Sequence, residues 1–400
     1  MDKLIETFVE LAKIPSPSLG EDKVRDRILE MLEQEGIQAQ KDGYGNIHAF
    51  VNATDNTKKP LLLSAHMDVV GDDSPVNIVV NGDIIETDKQ RTLGADDKAG
   101  IAAAIRLACE INKNKDLKHG GLELVFTRDE EQGMTGIHNF DFSKLESEYI
   151  LVLDSAELGK FEISGASYTK LDVIVETKTG GHSGLDIDKK DRLNAAKVIA
   201  DYVKVAPIGV INEDELGVVT SANLGCIVAG GIERTLKSAC KEKNPHKYIA
   251  KNCTDNVINT IACAHYSIRS SNAWFEKELI DAYKNIADEI KKKYGELVEI
   301  TIETSEHLKP FEKSDDTTLV TIGREAARKA GIKLDVSSFH AGAETHIYAN
   351  EKNKYGAVLK PVLIGIADIK NMHSPNECIN TKTYLEGYKF LKEFFLEFNA

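Results

Sequence analysis

Pro60-Leu61-Leu62-Leu63-Ser64-Ala65-His66-Met67-Asp68 holds a run with no charge, then a histidine and an aspartate. Such a run behind a proline fits a strand buried on both faces, the kind a helix-covered parallel sheet needs. The pattern repeats outward along the chain. Thr92-Leu93-Gly94-Ala95 precedes Asp96 and Asp97, and Gly100–Asn112 then carries Ile101, Ala104, Ile105 and Ala108 at helical spacing. Leu122–Thr127 reads as a strand followed by Glu130 and Glu131, and Tyr149–Leu153 as a strand followed by Asp154. Upstream, Leu4–Leu11 and Glu21–Glu35 have helical periodicity, and Gly36 ends the second helix. This βαβ rhythm predicts an α/β fold: a mixed, mostly parallel sheet with helices on both faces.

The texture changes after about Ser164. Leu171–Thr177 and Ile261–Arg269 alternate apolar and polar residues, as strands with one solvated face do. Asp191–Val205 and Trp274–Tyr294 read as long amphipathic helices. Two helices over a small antiparallel sheet predict an α+β domain at 165–307, inserted into a catalytic domain formed by 1–164 and 308–400. From Pro310 the first texture returns, with a helix over Asp316–Ala330, a strand-like run over Tyr355–Ile366 and a closing helix over Thr381–Phe398. Within the insertion, Gly230–Asp255 is polar and Lys-rich and reads as a solvated segment.

At 400 residues, 42% of them apolar, the chain has room for two or three domains with a large core. The net charge of −14 argues against a phosphate-backbone binder and against docking on an anionic membrane. It leaves room for cations. No stretch reaches the ~20 apolar residues that span a bilayer, and the N-terminus lacks the basic head and apolar middle of a signal peptide. The six cysteines are scattered without a CxxC pair and read as reduced thiols of a cytoplasmic protein.

His66 and Asp68, Asp96 and Asp97, Glu130 and Glu131, Asp154, and His373 after Val362–Ile366 all follow buried runs. Any one of these is an ordinary strand end returning to water. Five segments that all end in His, Asp or Glu predict a shared rim, because ligands bind outside the carboxyl ends of strands in open α/β sheets. Histidines and carboxylates without cysteine suit zinc, manganese or cobalt. The donors exceed the four of a single structural zinc, and one carboxylate can bridge, which points to two ions roughly 3.5–4 Å apart. His66 and Asp68 stand at i and i+2, on one side of an extended strand, where Asp68 can accept the second ring N–H of a metal-bound His66. The alternative is a loop histidine beside a solvated aspartate. Of the adjacent Glu130 and Glu131, one can bind metal while the other acts as general base, or both can be surface residues. No phosphate-binding loop, G-x-G-x-x-G after a strand, G-x-S-x-G elbow or H-E-x-x-H helix occurs.

Ser64-Ala65-His66-Met67-Asp68, Leu93–Gly100, Thr127-Arg128-Asp129-Glu130-Glu131-Gln132-Gly133 and Met372-His373-Ser374-Pro375-Asn376-Glu377 together resemble the co-catalytic metallopeptidases. These are the exopeptidases related to peptidase T, aminoacyl-histidine dipeptidase, carnosinase, aminoacylase-1 and the glutamate carboxypeptidases. The motifs run in the family's order over essentially the whole chain. The resemblance implies that His66 and Asp154 hold one metal, Glu131 and His373 the other, and that Asp96 bridges both. It makes Asp68 the partner of His66 and Glu130 the base. It implies two divalent ions, zinc first, with manganese and cobalt as alternatives. The inserted domain becomes a lid and homodimer interface, and His182 in Gly180-Gly181-His182-Ser183-Gly184 a lid donor to the scissile carbonyl. Arg269, on the strand face shared with His265 and Ser267, is a candidate for the substrate's terminal carboxylate.

The branch is set by smaller features. His340-Ala341-Gly342-Ala343-Glu344 resembles the aminoacyl-histidine dipeptidases, while the length and Leu93–Gly100 also suit peptidase T. His340 and Glu344 either contact substrate or buttress the rim. The expectation is a di- or tripeptidase acting on short peptides, with an N-acyl-amino-acid amidohydrolase, a carboxypeptidase or a non-catalytic metal- or peptide-binding scaffold as alternatives.

Overall fold

A computed structural model describes residues 2–229, 243 and 255–400. Of the polar stretch at 230–255, only Lys243 and Asp255 are among them, and Cys240 and Cys253 lie outside the described residues. The chain divides into two compact units, 1–165 with 311–400, and 166–310.

The first unit is built on an eight-stranded sheet. In spatial order its strands are Gln38–Lys41, Ile47–Val51, Leu122–Thr127, Leu61–His66, Tyr149–Ser155, Lys360–Gly365, Lys160–Gly165 and Asp335–Phe339. The four from Leu122–Thr127 to Lys360–Gly365 are parallel, so their carboxyl ends share one edge. Every residue of Leu61–His66 and Leu122–Thr127 is buried, so both sheet faces are covered there. Helix Lys3–Ala12, capped by the Asp2 side chain, contributes Leu4, Ile5, Phe8 and Leu11 to the core. Helix Thr381–Phe398, capped by Asn380, contributes Phe390, Leu391, Phe394 and Phe395. Phe394 stacks on Phe161 of the sheet at 6.3 Å between ring centroids.

The second unit is a five-stranded antiparallel sheet in the order Gly209–Asp214, Gly217–Ala229, Ile261–Ser270, Tyr168–Thr177, Val298–Leu308. Leu171, Val173 and Val175 point inward with Ala262, Ala264, Tyr266 and Ile268, which gives the alternation its cause. They pack with Val198, Ile199 and Tyr202 of helix Ala195–Val203 and Leu279, Tyr283 and Ala287 of helix Ala273–Tyr294. The Tyr202 hydroxyl donates to the Tyr283 carbonyl at 2.8 Å, so this core buries its polar atom with a partner.

Several expected bounds shift for local reasons. The helix expected over Asp191–Val205 is shorter, because Asn194 caps it at Ala196. The strand-like run from Tyr355 begins only at Lys360, since Asn353 Oδ1 accepts from the Tyr355 and Ala357 N–H groups and closes a turn around Gly356. The helix placed at Gly100 extends back to Ala95, although Asp96 and Asp97 within it depart from helical angles. No helix among the described residues is long and apolar enough to cross a membrane.

Candidate metal centre

The parallel strands deliver their terminal side chains to one edge. His66 ends its strand; Asp154 is carried by the adjacent Tyr149–Ser155; Glu130 and Glu131 lie in the turn after Leu122–Thr127. Asp96 stands at the head of helix Ala95–Lys113, and His373, with φ 60°, lies between the short strands Ile369–Lys370 and Cys378–Asn380. The Asp96–Asp97 peptide bond is cis.

Two donor groups result, His66–Asp96–Asp154 and Asp96–Glu131–His373, each with its ligand atoms within 4.8 Å of one another. Asp96 belongs to both. Its Oδ1 lies 3.0 Å from His66 Nε2 and its Oδ2 3.1 Å from His373 Nε2. His66 Nε2 is 3.6 Å from Asp154 Oδ1, and His373 Nε2 is 3.1 Å from Glu131 Oε2.

These donors fit divalent cations. Ligand atoms ~2.1 Å from a tetrahedral ion stand about 3.4 Å apart, and the separations here bracket that. Glu131 Oε1 is buried without a hydrogen-bond partner. Burial, together with the charge of Asp96, pushes the carboxyls of Glu131 and Asp154 up to about 7. Burial works against the His66 imidazolium, but hydrogen bonds to Asp154, Asp68 and Asp96 outweigh it and raise its pKa well above the usual value. Buried carboxylates crowded in this way call for positive charge. Burial raises the Glu130 carboxyl well above its usual value, with the charges of Asp154, Glu344 and Glu131 adding to the effect. A buried carboxyl among other carboxylates is the setting in which a side chain takes up a proton more readily than in water.

Asp68 meets His66 through more than one atom. The His66 ring Nδ1 bonds the Asp68 backbone carbonyl oxygen at 2.9 Å, while the nearer carboxylate oxygen stands 3.4 Å away. The carboxylate also accepts from the Glu130 and Glu131 backbone N–H groups at 2.9 and 3.2 Å and from the Ser18 hydroxyl at 2.7 Å. One residue therefore orients the histidine through its backbone and both glutamates through its side chain. Glu21 supports the same turn, accepting from the Asp129 N–H and pairing with Arg128.

Glu344 is buried at 1% exposure. Its carboxyl accepts from the Ser64 hydroxyl at 3.3 Å, and burial raises it to about 7. The bond to Ser64 fits the expectation that Glu344 buttresses the strand that carries His66. His340 is half-buried in the bend after Asp335–Phe339.

His182 and Arg269 belong to the second unit. His182, exposed, lies on a two-residue strand paired with Val257–Ile258. Its Nδ1 accepts from the Gly184 and Leu185 N–H groups at 3.1 and 3.2 Å, which leaves the ring proton on Nε2. The Arg269 guanidinium lies 4.8 Å over the Tyr168 ring, and Tyr168 in turn stacks on His307.

Sequence reasoning missed Ser18, and it gave no part to Glu377, whose carboxylate accepts from the Gly94 and Asp96 N–H groups. Ser18 follows the first helix in a Pro-Ser-Pro-Ser run with no chemical signature, while Glu377 stands in the quoted Met372–Glu377 segment.

Residues 62–397 match the sequence profile of peptidase family M20/M25/M40. The chain belongs to this family. It is 24% identical to the uncharacterized protein YqjE of Bacillus subtilis, over 94% of this chain and 92% of that one. It is 26% identical to peptidase T of Clostridium botulinum, over 72% of this chain and 66% of that one. Among solved structures, aminopeptidase PepT from Bacillus cereus superposes with a TM-score of 0.83 at 20% identity, covering 100% of this chain and 99% of that one. YXEP of Bacillus subtilis, described as a dinuclear metal binding peptidase of family M20, gives a TM-score of 0.67 at 14% identity, covering 98% and 96%. At these identities the structural likeness is one of fold. By family, the M20 chain is a peptidase, and the donor groups above lie within the matched residues.

Proposed function

We propose that this M20 peptidase is a two-metal exopeptidase removing residues from short peptides with a free amino terminus, a di- or tripeptidase. The observation that carries the reading is the single carboxylate of Asp96, which offers one oxygen to each donor group. His66 and Asp154 would hold one ion and Glu131 and His373 the other, with Asp96 available to both. Zinc suits these donors, as do manganese and cobalt. When bound, such ions polarise the scissile carbonyl and acidify a water molecule.

The rest is done by side chains. Glu130, with its raised pKa, takes a proton from the attacking water and delivers it to the leaving amine. Asp68 fixes the backbone from which Glu130 reaches out, so the base is held in place rather than found by chance. His66 is kept in the tautomer with its proton on Nδ1 by the Asp68 carbonyl, leaving Nε2 for a ligand role. We assign Arg269 to the substrate's terminal carboxylate and His182 to its carbonyl oxygen, in line with the donor tautomer of His182. We also assign the second unit to homodimer contact and the enzyme to the cytoplasm.

Glu130→Gln tests the base. Metal uptake should match the unaltered protein while the hydrolysis rate falls about 10²–10⁴-fold; an unchanged rate would remove Glu130 from the reaction. Assays on Ala-His, tri-Ala and N-acetyl-Met test the substrate class. Cleavage of the acylated substrate alone would overturn the aminopeptidase reading.

A further inference from the structure

The segment that carries His373 is tied to the segment that carries Asp96 by one buried side chain. Glu377 is 1% exposed. Its Oε2 accepts from the Gly94 N–H at 2.8 Å and from the Thr92 hydroxyl, and its Oε1 accepts from the Asp96 N–H at 3.1 Å. Three donors from five consecutive residues thus converge on a single carboxylate.

Both ends of this tie are built. On the Glu377 side, its N–H bonds the Ser374 carbonyl at 3.0 Å, closing the turn just past His373. The following strand, Cys378–Asn380, pairs with Ile84–Thr87, with Cys378 opposite Glu86. On the other side, the Thr87 hydroxyl donates to the Arg91 carbonyl at 2.8 Å and anchors the start of the Thr92–Asp96 segment. Gly94 adopts φ +75°, and a Cβ there would stand 2.7 Å from Val69 Cγ1, so the backbone comes too close for a side chain.

We infer that Glu377 is the positioning residue that sets the strength of the Glu131–His373 metal position, by locking the His373 turn to the backbone of the shared ligand Asp96. The inference rests on the two-metal reading above. It follows from the donor geometry. Asp96 reaches both positions, but only the Glu131–His373 position takes a second ligand, His373, from a segment that Glu377 clamps, while Glu131 is held by Asp68. The His66–Asp154 position has two ligands on rigid strands that Glu377 does not touch. Two of the three groups facing the carboxyl are backbone N–H donors, one at each oxygen, so both oxygens must accept. A glutamine would turn an amide N–H₂ toward at least one of them.

The test is a cobalt titration of the metal-stripped full chain, followed by visible absorption and by metal content after gel filtration. In the unaltered protein two equivalents should bind. In Glu377→Gln the first equivalent should bind within about threefold of the unaltered affinity, and the second should weaken about 10–100-fold, the range seen when partners of metal ligands are removed. Thr92→Val, which removes one of the three donors and keeps the carboxylate, should weaken the second equivalent in the same direction by a smaller factor. It also carries the test should Glu377→Gln fail to fold. Two equivalents bound by both variants as tightly as by the unaltered protein would overturn the inference. Equal weakening of both equivalents would overturn it too, by making Glu377 a general prop of the fold. Failure of the unaltered chain to take up cobalt would instead strike the two-metal reading itself.

Discussion

Asp68 shows how much a single carboxylate can organise. Its side chain holds the backbone of Glu130 and Glu131 while its carbonyl holds His66. Asp68→Asn keeps the shape but loses an acceptor oxygen, so kcat should fall about 10–100-fold with KM nearly unchanged. A variant with full kcat would show that the glutamate turn holds itself. His182 carries a second expectation. With Nδ1 accepting two backbone N–H groups, long-range ¹⁵N correlation spectra of the neutral ring should show an unprotonated Nδ1 and a protonated Nε2. The reverse tautomer would deny it the donor part. At this scale the sequence was legible where chemistry and motif coincide: His66, Asp96, Glu131, Asp154 and His373 come together. It was not legible where a role depends on which atom of a residue faces which neighbour. The Asp68 carbonyl, the Ser18 hydroxyl and the burial of Glu344 are of that kind.

Elements read well where a buried run left no choice. Leu61–His66 and Leu122–Thr127 have every residue buried, and their hydrophobicity alone announces them. Strands with mixed exposure were not picked out: Gln38–Lys41 is mostly exposed, and Asp335–Phe339 is half-buried through most of its length. The strand Lys160–Gly165 hides a titration. Glu162 lies within it at 8% exposure, opposite Leu363 on one side and Ser337 on the other. Burial raises its carboxyl to about 7. A carboxyl whose folded pKa exceeds its unfolded value stabilises the fold most below about 4.5 and loses that contribution as pH climbs to about 7. Glu162→Gln should therefore remove a decline of order 2 kcal/mol between those pH values, read by urea denaturation. The same decline in the variant would place its source in other groups.

At the scale of the whole chain, the sheet of the first unit brings donors from distant parts of the sequence together, since residue 66 meets residue 373 through Asp96. The order of buried runs made that convergence legible before any distance was known. The antiparallel architecture of the second unit was legible from the alternation around Leu171 and Ile261, because one of its faces is solvated. Ions that bind only the folded chain stabilise it by mass action. At a thousandfold excess over Kd each adds about 4 kcal/mol, so stripping the metals should lower Tm by several degrees, and adding zinc should restore it. An identical Tm with and without metal would mean that the donor groups bind nothing tightly.

The central claim is tested most directly by adding zinc, manganese or cobalt in measured equivalents to the metal-stripped protein while a panel of di- and tripeptides is assayed. The account predicts release of the N-terminal residue that is absent without metal and reaches its plateau at two equivalents. Hydrolysis indifferent to metal, or no release from any peptide with two equivalents bound, would contradict it.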